Sequence, residues 1–321
     1  MTPSVSPSIR SNASPGERST DPRDSWRFFP FLCLISRASS EHRPGVLNQK
    51  RDTVASVKTP AEPGLFSPSL MNELDQLLAD AESLPIAGWD FTVLGRRWQR
   101  GEPPWDLRAI VTAHLESAST LLDLGTGGGE FLMSLSPLPP TVVATEGYPP
   151  NLEVARARLN PLGVRVLPIR EDQHIDLAER SVDLVLARHE AFDAAEVARV
   201  LRPGGTFVTQ QIGPRNYESL DRWFGVASEP ARNHLGSLSE FGQEIAAAGL
   251  EVRTLREASW SEAFLDVGAV VYFLRAAPWE VPGFSVARFR PVLEGIHRLI
   301  QQHGRWSWEA HRFLAVAQRP G

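Results

Sequence analysis

The chain has 321 residues and 35.5 kDa, with 42% apolar and 22% charged residues, enough for a substantial core in one or two domains. A single cysteine, Cys33, excludes an intramolecular disulfide framework and any cysteine-based zinc cluster. Charge is uneven: residues 1–70 hold nine Lys and Arg against six Asp and Glu, whereas the remainder holds 24 arginines, no lysine and 32 acids, a balance that disfavours a polyanionic partner such as nucleic acid.

Residues 1–70 carry 13 serines and nine prolines with little periodicity and read as a disordered extension. The apolar run FFPFLCLI at 28–35 is too short to span a bilayer and lacks a small-residue cleavage pattern, so the expectation is a cytoplasmic protein with no membrane partner. Met71 opens an amphipathic pattern, MNELDQLLADAESLP, with Leu74, Leu77, Leu78 and Leu84 as its apolar stripe, which suggests Met71 as a natural translation start. Residues 71–110 read as a helical and aromatic cap. Trp89, Phe91, Trp98 and Trp105 crowd into its second half, before the helical pattern LRAIVTAHLES.

From residue 120 strands and helices alternate. TLLDLG (120–125), TVVATE (141–146), VRVLPI (164–169), SVDLVLAR (181–188) and TFVTQQIG (206–213) read as strands. A helix starting near Gly128, LEVARARLNP (152–161) and AAEVARVL (194–201) fall between them, and PGG at 203–205 reads as a chain break. Such alternation predicts an α/β fold with a parallel sheet covered on both faces. Beyond it come a helix at 238–249, a strand at 250–258, helices at 264–279 and 292–304, and a closing strand at 311–319. Residues 213–240 form an insert that suits a substrate lid.

The stretch Gly125-Thr126-Gly127-Gly128-Gly129 follows the first of these strands, where the missing Cβ atoms permit unusual backbone angles and close approach of a ligand. Glu130-Phe131 follows it, where a phosphate loop needs Lys and then Ser or Thr. The dinucleotide fingerprint also fails at its last position, and an acid there opposes a pyrophosphate. A nucleoside cofactor with a cationic centre remains. Glu146 ends the next strand, where a carboxylate can accept hydrogen bonds from ribose hydroxyls.

Asp123, Gly125, Gly127 and Gly129 closely resemble the D/E-x-G-x-G-x-G motif of the class I S-adenosylmethionine-dependent methyltransferases. LRPGG at 201–205 resembles the segment before that family's fifth strand, and HRFLAVAQR its antiparallel seventh; the likeness covers roughly 110–320. The resemblance implies a doubly wound, seven-stranded, mostly parallel Rossmann-like sheet over 111–321 and S-adenosyl-L-methionine as cofactor. Asp123 would then orient the methionine amino group and Glu146 the ribose. Thr126, Gly147, Tyr148 and Arg188 would border the cofactor, and Asp172, with Glu171 competing, would face the adenine amine.

Residues after the fourth strand would lie near the transferred methyl. His189 is the leading candidate for a base or acceptor-orienting group, with Glu190 beside it. One of Gln210 and Gln211 should face the pocket and the other pack behind. Tyr217, Trp223, Phe224, Trp260, Tyr272, Trp279 and Phe284, with Trp98 and Trp105, are candidates for an aromatic-lined cavity. No pair among His174, Asp172, Glu171, His189 and Glu190 has the HExxH spacing, so no metal is expected, and no oligomeric state is implied. The reading is methyl transfer to a small molecule; the alternatives are an RNA methyltransferase, a non-catalytic cofactor-binding interaction protein, and a nucleotide-dependent oxidoreductase.

Overall fold

A computed structural model describes residues 68–86, 91–169, 173–216, 218–226, 236–278 and 280–321. The serine- and proline-rich extension up to residue 67, Trp89, Glu171, Asp172, Tyr217 and Trp279 lie outside the described residues.

The helices and strands, in chain order, are α1 (Pro68–Ser83), β1 (Trp98–Gln99), α2 (Leu107–Leu115), β2 (Thr120–Leu124), α3 (Glu130–Met133), β3 (Thr141–Glu146), α4 (Pro149–Leu159) and β4 (Arg165–Pro168). They continue as β5 (Val182–Arg188), α5 (Ala194–Val200), β6 (Leu201–Ile212), α6 (Glu218–Phe224), α7 (Leu238–Ala247), β7 (Glu251–Phe264), α8 (Val267–Ala276), α9 (Val286–His303) and β8 (Trp306–Gln318). One sheet takes the order β1-β7-β8-β6-β5-β2-β3-β4. The strands β4, β3, β2, β5 and β6 run parallel, and β8 pairs antiparallel with both β6 and β7. The doubly wound, mostly parallel sheet is therefore present, with the two-residue β1 added at one edge.

Strand order reverses between β2 and β5, and a crevice at such a switch point is where open α/β sheets bind ligands. The apolar runs of the parallel strands place alternate residues on opposite faces. Leu121, Ala144, Leu184, Leu186, Val208 and Leu314 pack on one face, under α2 and α4. Leu122, Val143, Val185, Phe207 and Phe313 pack on the other, against α5 and α7. Continuing the first alternation puts Asp123, Glu146, Arg188, Gln210 and Arg312 on a single face, at the strand ends.

Three expectations about the elements are corrected. PGG lies inside β6 rather than breaking the chain. Gly204 takes φ 79 and the strand bulges, but Gly204 N still donates to Arg319 O at 2.9 Å and Arg319 N to Gly205 O at 2.9 Å. Phe264 belongs to β7, and the helix after it starts at Val267, where the Asp266 carboxylate caps the N–H of Ala269 at 2.9 Å. The helix expected at 292 begins at Val286, capped by Ser285, and bends at Phe289 just before Pro291.

Of the aromatics expected to line a cavity, Trp98, Tyr272, Trp223, Phe224 and Phe284 pack in a core instead, while Trp105 contacts Gln210 and Trp260 lies against Arg312. Trp98, Phe264, Phe273 and Trp308 lie with ring centroids 4.5–6.5 Å apart, and Trp306 and Tyr272 join them. With Leu74 and Leu78 of α1 and Leu293 and Ile296 of α9 they make a third core. The projecting ends of β7 and β8 carry it beyond the parallel strands. Among the described residues no helix is long and apolar enough to cross a membrane.

Candidate functional site

The turn after β2 bends through left-handed conformations at Gly125, Gly127 and Gly129, with φ of 65, 63 and 87. Thr126 N donates to Thr145 O at 2.8 Å, and Gly125 N to Thr145 Oγ1 at 3.2 Å, so the turn is tied to β3. A Cβ on Gly129 would stand 2.9 Å from Leu159 Cγ, so glycine there lets α4 close against the turn. A Cβ on Gly125 would overlap the Glu190 side chain, with Oε2 only 2.6 Å away. The bareness of Gly125 thus already serves a contact within the chain. Glu130, the acid that follows the glycines, pairs with Arg158, which also donates to Gly128 O at 3.1 Å.

Asp123 is 4% exposed, and burial pushes its carboxyl up to about 6, opposed by Thr126 and Arg188 and reinforced by Glu146. The Thr126 hydroxyl lies near enough to favour the charged form, yet it is buried with no hydrogen-bond partner in proper geometry. Burial also raises Glu146, while backbone N–H groups of Tyr148, Gly127 and Gly147 hold its charged form, the first at 2.6 Å. Burial, with Glu146 and Asp123 adding, pushes Glu190 up to about 8. Three carboxylates thus converge on a bare, left-handed turn holding an orphaned hydroxyl. A cationic nucleoside fits this set: its charge relieves the mutual repulsion, and its hydroxyls and amine supply the absent partners.

Beyond β5 the chain turns through His189, at φ 59, whose N–H donates to Gln210 O at 2.8 Å. Arg188 and His189 are solvent-accessible, yet burial is the first cause lowering both, most strongly His189. Both lie at the strand ends beside the switch point of the sheet, where open α/β sheets bind ligands. Arg188 lies over the Phe131 ring, 4.7 Å from its centroid.

Trp105 Nε1 donates to Gln210 Oε1 at 2.8 Å, and Gln210 Nε2 lies 3.0 Å from His189 Nε2. An indole N–H can only donate, so the amide oxygen faces Trp105 and its NH2 faces His189. His189 Nε2 is therefore an acceptor, and the proton of the neutral ring sits on Nδ1. Arg312 and Arg188 add to burial in keeping the ring neutral. In this arrangement the lone pair of Nε2 faces the Gln210 amide and Nδ1–H is the donor left for a ligand. Gln211 points to the other face, where Nε2 donates to Glu190 O and Thr209 Oγ1, both at 2.9 Å.

The sequence reading missed the part of Arg312. Its alternation with Leu314 and Val316 was the available signal. Trp105 carried none for its link to Gln210, since nothing local ties the two positions. Asp172 falls outside the described residues.

A family profile described as methyltransferase domain matches residues 122–209, the span from β2 into β6. A Mycobacterium bovis protein described as an uncharacterized methyltransferase is 39% identical over 230 residues, covering 64% of this chain and 86% of that protein. The chain belongs to the class I S-adenosylmethionine-dependent methyltransferases. A protein described as methyltransferase tpcM, from Aspergillus fumigatus, is 30% identical over 176 residues, covering 50% of this methyltransferase and 52% of the relative; the chain thus spans about half of that relative's length. The solved structure of the YcgJ protein from Bacillus subtilis is 17% identical with a TM-score of 0.45, covering 67% of this chain and 98% of that one. This methyltransferase uses S-adenosylmethionine as its cofactor.

Proposed function

We propose that the chain methylates a small molecule. The observation that carries this reading is the place of His189 and Glu190, just beyond β5 beside the switch point of the sheet, where open α/β sheets hold small ligands in a crevice. The acidic body agrees with it.

When bound, S-adenosylmethionine supplies an electrophilic methyl group on a positive sulfur. Asp123 takes the methionine amino group and Glu146 the ribose hydroxyls. Gly125, Thr126, Gly127 and Gly129 shape the turn, Gly147 and Tyr148 border the nucleoside, and Arg188 borders the methionine end. His189 donates from Nδ1 to orient the acceptor. Glu190, once ionised beside a cationic ligand, receives the proton that the acceptor sheds. The remaining work is alignment and exclusion of water.

The test is incubation of the full chain with labelled methyl donor and fractionated cell extract. Label in the low-molecular-weight fraction is expected; label confined to RNA or protein contradicts the reading.

A further inference from the structure

We propose that the methyl acceptor is an organic anion, and that Arg312 binds its carboxylate or phosphate at the end of the cleft away from the glycine turn. This inference rests on the small-molecule methyltransferase reading and names the acceptor's class.

The register places the groups. Arg188 pairs with Gln210, and Gln210 with Leu314, so β5, β6 and β8 meet in one row at the strand ends. Arg312 pairs with Ile212 and Ala258, two residues along β8 from Leu314 and on the same face. Two strand spacings, roughly 10 Å, therefore separate Arg312 from Arg188, and one more strand separates it from Asp123. Arg312 and Arg188 both act on His189. Arg312 stands across the acceptor position from the carboxylates.

Arg312 is fixed for its task. Nη1 donates to Asn216 Oδ1 and, at 2.9 Å, to His311 O, and the guanidinium lies over the Trp260 ring, 5.6 Å from its centroid. Among the described residues no carboxylate comes within ion-pair distance of Arg312, and its Nε and Nη2 make no hydrogen bond. The Asn216 amide that holds it is buried, and its Nδ2 donor has no partner. Two donor groups, one charged, are thus held together without an acceptor, where a planar fork recognises carboxylate or phosphate.

The surrounding charge has the matching sign. Arg100 and Arg312 both act on Arg188 and on Glu262. Glu262 is the opposing carboxylate; it accepts from Trp98 Nε1 at 3.0 Å and Trp260 Nε1 at 3.2 Å, and burial raises it, which favours its neutral form. The cleft is therefore polarised. Asp123, Glu146 and Glu190 face the cationic donor at one end, with Arg188 beside them, and Arg312 faces the acceptor at the other.

The test is calorimetric titration of the full chain, with and without saturating S-adenosylhomocysteine, using benzoate, inorganic phosphate and neutral benzamide as probes. Benzoate or phosphate is expected to bind at least tenfold more tightly than benzamide, and whichever binds reports the anion's type. Arg312→Gln should weaken anion binding at least tenfold while S-adenosylhomocysteine affinity stays within twofold. Equal binding of benzoate and benzamide to the wild-type chain overturns the proposal without any variant. Unchanged anion binding in Arg312→Gln overturns it too, as does a parallel loss of S-adenosylhomocysteine, which would assign Arg312 to the cofactor's own carboxylate. Binding of a short RNA in clear preference to both small anions also contradicts it. Failure of S-adenosylhomocysteine to bind the wild-type chain is read separately and strikes the methyltransferase reading instead.

Discussion

Trp105 donates its indole N–H to Gln210 Oε1 at 2.8 Å, and that bond decides which nitrogen of His189 carries the proton. Trp105→Phe keeps most of the ring's burial and removes the donor. The Gln210 carbonyl is then left unsatisfied, a loss of about 1–3 kcal/mol that a urea denaturation curve reads. In nitrogen-edited NMR, His189 of the wild-type chain should show the Nδ1–H form, and the variant a mixture of tautomers. An unchanged spectrum contradicts the relay.

How much of this was legible in the sequence differs between elements. TVVATE spans β3 without error because a buried parallel strand is a continuous apolar run bounded by turns. The glycine turn and Glu146 were legible because few other residues tolerate that bend or that place. The first halves of β7 and β8 were harder. EVRTLREASW is only partly buried, with Val252, Leu255 and Ala258 against the two sheet-face cores, and WSWEAHR alternates Trp306 and Trp308 of the aromatic core with exposed residues. The bulge at Gly204 reads as a turn because the sequence cannot show that Arg319 completes its ladder. Trp105, Gln210 and Arg312 meet only through sheet register, which no local pattern encodes.

Gly125→Ala combines a left-handed φ of 65 with overlap of the new Cβ and Glu190. The backbone strain costs about 1–3 kcal/mol. Denaturation should show a larger loss than this for the single variant, and the Glu190→Ala background should recover the steric share. No recovery in the double variant would mean that Glu190 moves aside freely.

Glu190, raised to about 8 from an ordinary 4.5, governs the pH response. A carboxyl held above its unfolded value contributes stability fully below about 4.5, and that contribution is lost as pH climbs through about 8. A cationic ligand favours the ionised form. Binding of S-adenosylmethionine should therefore release close to one proton at pH 7, and its affinity should rise between roughly pH 6 and 9. Calorimetry in buffers of different ionisation heat counts the proton, and Glu190→Gln should abolish most of the release. A pH-independent affinity contradicts this assignment.

Trp308 is 3% exposed, with its ring 4.5 Å from that of Phe264. Trp308→Ala should cost about 3–5 kcal/mol by leaving a cavity in the third core. Cofactor affinity measured well below the variant's melting temperature should hold within a few-fold, because the aromatics pack on each other rather than line the cofactor cleft. A large loss of affinity in a folded variant would put that core in the cleft wall.

The most direct test of the central claim is calorimetric titration of S-adenosylhomocysteine into the full chain and into Glu146→Gln, with folding verified by circular dichroism. The account predicts one site per chain in the wild type and at least tenfold weaker binding in the variant, about 1.4 kcal/mol. No binding to the wild-type chain, or equal binding to both, would contradict it.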